Sequence, residues 1–149
     1  MTVGKAFVDT NVLLRAVNDA LPLHGEADEP VRRMRHNGYE LWISRQIIRE
    51  YLSQVTRPGF FIQPMVMEQV DQQVRVMRVL FKIADETEAV TTQLLALLRA
   101  FPTGGKQIHD ANIVATMLVY GIDTLLTQNV ADMKRFASRI QIVPLTQNS

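Results

Sequence analysis

The sequence contains no cysteine, so disulfides, zinc–thiolate sites, iron–sulfur clusters and a cysteine nucleophile are all excluded. Histidine is also scarce: the three histidines lie in no recognisable motif, and no serine–histidine–aspartate arrangement is indicated. No apolar run approaches the roughly 18 residues that indicate a membrane-spanning helix. The N-terminal stretch MTVGKAFVDT lacks the charged and apolar regions of a signal peptide. Together these absences favour a cytoplasmic protein with no membrane segment.

Neither sign of charge is in large excess. The 16 basic and 15 acidic residues give a net charge of +1, so the overall field is weak and any nucleic-acid surface must be a local patch. The 149 residues suit a single domain, residues 1–149. The apolar content of 47% is that of an ordinary globular chain.

Short apolar runs predict strands, and stretches with helical spacing alternate with them. The strands are expected at residues 5–9, 40–43, 79–83, 124–126 and 140–143. The helices are expected at residues 11–18, 25–37, 44–55, 87–100, 110–120 and 130–136, with one more beginning at Pro64. The inward face of this last helix is predicted to contain Val66, Met67, Val70, Val74 and Met77. The alternation predicts an α/β fold with a short, mostly parallel, twisted sheet of four to five strands covered on both faces.

Four acidic residues lie near the predicted strand ends, which matters because open parallel sheets bind ligands beyond the carboxyl ends of their strands. Asp9 ends the first strand, and Glu50 lies in the helix after the second. Asp110 opens the helix that leads into the fourth strand, and Asp132 lies one helical turn beyond that strand. The four side chains could therefore converge at one edge of the sheet.

Each acid also has an ordinary structural interpretation. Asp9 and Asp110 both precede apolar helical stretches and would be good N-caps. Glu50 could be a solvated residue, or it could pair with Arg49 or Arg57. The fourth acid could simply complement the dipole of its short helix.

The joint placement of the acids favours a metal site. Asp9 follows a strand that should be central, and Asp110 heads a helix with almost no polar face, so neither environment favours an uncompensated charge. Clustered carboxylates repel one another, and a divalent cation relieves that repulsion. Oxygen ligands without histidine or cysteine select Mg²⁺ or Mn²⁺. Such ions activate water and stabilise phosphoryl charge, so the pattern points to hydrolysis of a phosphodiester.

Three segments, in this order and spacing, resemble one known family. FVDTNVLL, SRQIIREYL and HDANIVATMLVYGIDTLLTQNVADMKRF are similar to segments of PIN-domain ribonucleases of the VapC toxin type, and the similarity spans about residues 6–144. The third segment is the most specific. The resemblance implies a PIN-like, three-layer α/β/α fold, Mg²⁺ or Mn²⁺, and endonucleolytic cleavage of RNA. It also implies a homodimer and a small antitoxin that inserts a segment near the acidic site.

The resemblance assigns ligand roles to individual residues. Asp9, Glu50 and Asp110 match the first three acids of the family. Asp132 matches the acid that follows the Thr-x-Asn turn, but many members have aspartate where Asn129 stands. The fourth ligand is therefore Asn129, Asp132 or both.

Other residues are expected to support the site. Asn11 and Thr127 resemble polar residues that orient the carboxylates, and Ser44 is expected to cap the helix that contains the second acid. The possible RNA contacts are Arg45, Arg49, Arg57 and Lys106. One apolar stretch is either core or a groove for a dimer partner or antitoxin, and it comprises Phe60, Phe61, Ile62, Met65 and Met67.

Two other functions compete with a metal-dependent ribonuclease. A PIN-fold binding or scaffold module could keep the fold without cleaving RNA, although all four acids are present. An aspartyl phosphoryl-transfer enzyme also begins with a strand that ends in aspartate. Such an enzyme needs a second acid two residues later, where this sequence has Asn11.

Overall fold

The computed structural model describes residues 2–19 and 21–145, and in these residues strands alternate with helices. The strands are β1 (Gly4–Val8), β2 (Tyr39–Ser44), β3 (Lys82–Ala84), β4 (Thr124–Thr127) and β5 (Gln141–Pro144). The helices are α1 (Thr10–Ala16), α2 (His24–His36), α3 (Arg45–Val55), α4 (Met67–Leu80), α5 (Glu88–Ala100), α6 (Ile108–Tyr120) and α7 (Val130–Met133). Short 3₁₀ turns precede α6 (Gly105–Gln107) and follow α7 (Lys134–Phe136). In these two ranges no helix is long and apolar enough to cross a membrane.

The strands of the described residues form one five-stranded sheet in the order β3-β2-β1-β4-β5. Every pairing is parallel, which confirms the predicted α/β class and its α/β/α layers. From β1 the chain moves outward to β2 and β3, and it then returns to the opposite side of β1 for β4 and β5. The strand order therefore reverses between β1 and β4. Their carboxyl ends form the crevice where open parallel sheets bind ligands.

Strand β1 and helix α6 lie in the middle of the hydrophobic core. Ala6, Phe7 and Val8 are fully buried, because β1 is paired on both edges and covered on both faces. In α6, residues 111 and 113–117 are buried, as its nearly continuous apolar sequence predicts. Gly121 ends α6 with a φ of 68°, a left-handed conformation that favours glycine. This buried strand and helix position the residues that follow β1 and those that begin α6.

Helix α4 and strand β3 differ from their predicted positions. Helix α4 begins after Val66 and not at Pro64, because the Gln69 side chain accepts a hydrogen bond from the Val66 N–H at 3.0 Å. Val66 and Met67 are therefore not inward-facing and are 55% and 63% exposed. The sequence VLFKI, predicted as a strand, instead ends α4 and begins β3, since a short apolar run fits either element. The other elements lie within two residues of their predicted bounds, except that residues 130–136 divide into α7 and a 3₁₀ turn.

Candidate active site

Asp9 directly follows β1 and is only 5% exposed. Its Oδ1 accepts a hydrogen bond from the Thr10 N–H at 2.7 Å, which makes Asp9 the N-cap of α1. Its Oδ2 accepts from the Thr127 hydroxyl at 2.7 Å and from the Asn11 amide at 3.5 Å. Burial raises the pKa of Asp9 and the charge of Glu50 adds to the rise, while the three hydrogen bonds oppose it. Asp9 is therefore both a helix cap and a buried carboxylate in the crevice.

Thr127 and Asn11 connect the segments that follow β1 and β4. The Thr127 hydroxyl, which donates to Asp9, accepts from the Asn129 N–H at 2.9 Å. The side-chain carbonyl of Asn11 accepts from the Gln128 N–H at 3.0 Å. These bonds hold the turn after β4 against the Asp9 carboxylate. That Asn11 and Thr127 orient this carboxylate for a reaction stays a prediction.

Glu50 lies in the second turn of α3 and contacts the start of α1. Its Oε1 accepts from the Thr10 hydroxyl at 2.6 Å, and its Oε2 accepts from the Gln46 amide at 3.0 Å. In the described part of the chain, neither Arg49 nor Arg57 forms an ion pair with Glu50. The simple ion-pair interpretation of this acid is therefore wrong.

Asp110 is the third residue of α6, and its interpretation as an N-cap is wrong. The 3₁₀ turn before α6 moves the helix start upstream, so that Gln107 occupies the cap position. The pKa of Asp110 is raised to about 6, first by burial and then by the charges of the other three predicted acids, while Arg135 opposes the rise. Asp9, Glu50 and Asp132 are therefore all close enough for their charges to act on the Asp110 carboxyl group.

One pocket of about 690 Å³ is lined by Asp9, Glu50 and Asp110. Asn129 lines the same pocket, whereas Asp132 does not. Asp132 is half-buried and acts on the pocket through the effect of its charge on the pKa of Asp110. Of the two candidates for the fourth position, Asn129 is thus the one in the pocket wall.

The pocket suits a hard divalent cation by ligand type and by charge. Among residues 2–19 and 21–145, no lysine or arginine forms an ion pair with Asp9, Glu50 or Asp110. In those same ranges, however, no three acidic or histidine side chains are already arranged as the ligands of a metal ion. Both oxygens of Asp9 and of Glu50 accept hydrogen bonds from the protein. These carboxylates could hold Mg²⁺ or Mn²⁺ by exchanging some of these hydrogen bonds for the ion.

A family model of the PIN domain matches residues 6–139, a range that includes all four acids. The chain belongs to the PIN domain family. The predicted family resemblance is thereby confirmed. No curated protein sequence matches the chain.

Solved structures with the PIN fold resemble this chain over most of its length. A toxin–antitoxin complex from Klebsiella pneumoniae has 20% identity and a TM-score of 0.66, with 95% of this chain and 98% of that chain covered. VapBC2 from Rickettsia felis, bound to a DNA fragment from its promoter, has 16% identity and a TM-score of 0.64, with coverages of 94% and 98%. VapC20 from Mycobacterium tuberculosis, a sarcin-ricin loop cleaving toxin, has 17% identity and a TM-score of 0.58, with coverages of 80% and 86%. At such identities the likeness shows the fold alone.

Of the four basic residues that were predicted to contact RNA in this PIN domain, one lines the acidic pocket and three do not. Arg57 lines the pocket. Arg45 and Arg49 form exposed ion pairs with two acids after β3, at 3.0 and 2.9 Å, and Lys106 is exposed in the turn before α6. Ser44 is fully buried and caps α3 by accepting from a backbone N–H at 3.4 Å. Contact of the four basic residues with RNA stays a prediction.

Sequence reasoning missed three residues that the structure brings to the acids. Thr10 and Gln46 donate to Glu50, and Arg15 lines the pocket. Two of these residues, Arg15 and Gln46, could have been predicted from helical spacing, because residues four apart lie on the same face of a helix. Arg15 lies four residues after Asn11, and Gln46 lies four residues before Glu50.

A second cavity, of about 860 Å³, adjoins the acidic pocket, and we call it the apolar groove. It is lined by parts of residues 17–19, 60–65 and 68–73, and Leu21 and Phe60 line both it and the acidic pocket. Ile62 is fully exposed and Met67 is 63% exposed, so the core interpretation is wrong for these two residues. The other three residues of the predicted apolar stretch are half-buried against the core.

Proposed function

We propose that this PIN domain is a Mg²⁺- or Mn²⁺-dependent endoribonuclease that hydrolyses RNA phosphodiester bonds in the acidic pocket. One observation carries the proposal: carboxylates from the end of β1, from α3 and from α6 line one pocket. No basic residue in the described ranges pairs with them. A bound ion would supply an activated water and would stabilise charge on the phosphoryl oxygen.

The acids would share the work of holding the ion. Asp9, Glu50 and Asp110 are the expected ligands, and Asn129 is the better-placed fourth residue because it lines the pocket. Since carboxylate ligands must be deprotonated, metal affinity falls as they take up protons. The pKa of Asp110 is raised to about 6 by burial and by its acidic neighbours. We therefore expect ion binding and cleavage to weaken as the pH falls below that value.

Positive charge for the RNA backbone would come from Arg15 and Arg57. Both line the acidic pocket, and neither forms an ion pair with an acid in the described part of the chain. Arginine donates in a planar fork that matches phosphate oxygens. These two residues are better placed than Arg45 and Arg49, whose guanidinium groups are already paired.

In the same proposal the chain is the toxin of a toxin–antitoxin pair, and an antitoxin segment occupies the apolar groove. Support comes from the Klebsiella pneumoniae structure, which is a toxin–antitoxin complex. The groove shares Leu21 and Phe60 with the acidic pocket, so a segment bound there would lie beside the active site. The charged residues that line the groove are Asp19 and Glu68. This lining favours a segment with apolar side chains and a positive charge.

A cytoplasmic homodimer completes the proposal. Val76 and Val79 on α4 are 39% and 83% exposed and offer apolar surface for a second copy. Multi-angle light scattering of the purified chain would give twice 16.9 kDa for a dimer. A mass of one chain would contradict the dimer without affecting the assignment of the acids.

Induced expression without an antitoxin tests the function in cells. We expect growth to stop, and 5′-end sequencing of RNA soon after induction to reveal new, discrete ends. The Asp110→Asn chain, at an equal protein level, should leave both growth and RNA ends unchanged. Equal toxicity of the two chains, or growth arrest without new RNA ends, would contradict the proposed function.

A further inference from the structure

We propose that Gln46 is a positioning residue for Glu50 and that Asn112 holds the Gln46 amide in place by donating to its oxygen. This inference rests on the proposed function, because it concerns how one of the pocket acids is held. Neither amide lines the acidic pocket. Both would therefore act through Glu50 and not by touching RNA.

Gln46 lies between Glu50 and helix α6. Its side chain is buried, at 4% exposure. Its Nε2 donates to Glu50 Oε2 at 3.0 Å and to the backbone carbonyl of His109 at 3.0 Å. Its Oε1 accepts from the Asn112 amide at 2.8 Å. One amide thus bridges the acid on α3 to the first turns of α6.

The orientation of both amides follows from the groups at the two ends of the chain of hydrogen bonds. Carboxylates and backbone carbonyls only accept, so Gln46 must present its NH₂ group to Glu50 and its oxygen to Asn112. Asn112 must then donate twice, once to Gln46 and once to Glu86 Oε1 at 3.0 Å. The other oxygen of Glu86 accepts from Arg49 at 2.9 Å. The Gln46 and Asn112 amides therefore each have one orientation in which all of these hydrogen bonds form.

This chain of hydrogen bonds fixes Glu50 from one side while α1 fixes it from the other. The Thr10 hydroxyl donates to Glu50 Oε1 at 2.6 Å, so both carboxylate oxygens are held. A glutamate side chain otherwise has several rotatable bonds whose ordering costs free energy. Holding it in advance keeps the carboxylate near the other acids before an ion or RNA arrives. Arg49, whose contact with RNA stays a prediction, donates to Glu86 at the outer end of these hydrogen bonds.

Asn112→Asp is the most informative variant because it keeps the shape and removes the two donors. A carboxylate cannot donate to Gln46 and would repel its amide oxygen, so the Gln46 side chain is expected to lose its support from α6 and to shift from its place against Glu50. Gln46→Met is the second variant: it removes the donor to Glu50 without adding charge. Thr116→Val is the matched control. Its buried hydroxyl donates to the Asn112 backbone carbonyl at 2.8 Å, and among the described residues it forms no hydrogen bond with a side chain of the network.

The variants are compared by RNA cleavage kinetics and by the side-chain NH₂ signals of metal-free protein in ¹H–¹⁵N NMR spectra. Loss of an outer partner of a metal-site residue costs about 10- to 100-fold in activity or metal affinity. We expect kcat of Asn112→Asp and Gln46→Met to fall at least about tenfold, with KM for RNA unchanged. The Gln46 NH₂ signals, assigned by their absence in Gln46→Met, should shift in Asn112→Asp. Thr116→Val should lower the Tm but keep kcat and those signals.

Two results would overturn the inference. One is wild-type kcat in Asn112→Asp together with unshifted Gln46 signals. The other is a loss of kcat in Thr116→Val as large as in Asn112→Asp, which would assign the effect to general destabilisation. If the wild-type chain cut no RNA, the proposed function would fail, and the NMR spectra alone would still decide whether Asn112 holds the Gln46 amide in place.

Discussion

Replacing Asp110 by asparagine should stabilise the metal-free protein at neutral pH. The pKa of Asp110 is raised from 3.8 to about 6, first by burial and then by the neighbouring acids. The folded state therefore holds this proton more tightly than the unfolded chain, so the free energy of unfolding falls as the pH rises through that window. Asparagine has the same shape and no charge, and it removes this penalty.

The expected gain can be worked from the size of the shift. A rise from 3.8 to about 6 corresponds to about 3 kcal/mol at 1.36 kcal/mol per unit. Because the side chain is half-buried, solvent screening reduces this to about 1–2 kcal/mol. An acid in the first turn of a helix is favoured by about 0.3–1 kcal/mol, and asparagine loses that contribution. The net gain of about 1 kcal/mol corresponds to a Tm higher by about 2–4 °C.

Thermal unfolding in EDTA at pH 7.5 and at pH 4 provides the assay. Asp110→Asn should melt higher than wild type at pH 7.5 and at the same temperature at pH 4, where the wild-type carboxyl is protonated. Asp85→Asn, at an exposed acid paired with Arg45, is the control and should gain nothing. With Mn²⁺ at pH 7.5 the order should reverse, since an ion that binds only the folded wild type raises its stability. Equal Tm values at pH 7.5, or an equal gain at pH 4, would refute a mutually repelling acid cluster.

Other predictions concern the residues around the pocket. Thr127→Val should destabilise the fold by about 1–3 kcal/mol in urea unfolding, because it leaves the buried Asp9 oxygen without its 2.7 Å donor. Ser44→Ala should cost about 1 kcal/mol as a lost cap and leave kcat unchanged; a lower kcat in the folded variant would place Ser44 in the site. Arg15→Gln and Arg57→Gln should each raise KM for RNA and reduce the salt slope of binding by about one. Unchanged slopes would remove these arginines from the RNA surface.

The position of Asp9 could be predicted from the sequence because both of its roles depend on local features. An apolar run that ends in aspartate, followed by helical spacing, predicts both the strand and the cap, and both are present. The parallel pairing of the strands was predictable, because short apolar strands that alternate with helices favour parallel crossovers. The position of Glu50 was also predictable, because it is the acid in the second turn of the helix that follows the second strand. The residues that hold its carboxylate, Thr10 and Gln46, were not predicted.

The remaining features depend on packing between distant segments. Gln46 and Asn112 are 66 residues apart, and their bond exists only because α3 packs beside α6. Asp110 loses its predicted cap role because Gly105, with a φ of 63°, opens a 3₁₀ turn that starts the helix early. The boundary between α4 and β3 was ambiguous because VLFKI satisfies either pattern. Tertiary contacts decide such cases, and a single sequence does not contain them explicitly.

RNA cleavage by the purified chain, measured in Mn²⁺ and in EDTA beside the Asp9→Asn variant, tests the central claim most directly. Asparagine keeps the acceptor that caps α1, so the variant should fold and give the wild-type circular dichroism spectrum. We predict that the wild-type chain cuts RNA in Mn²⁺ and not in EDTA, and that Asp9→Asn cuts in neither. Wild-type rates in folded Asp9→Asn, or undiminished cleavage in EDTA, would contradict the assignment of the acidic pocket as a metal-dependent ribonuclease site.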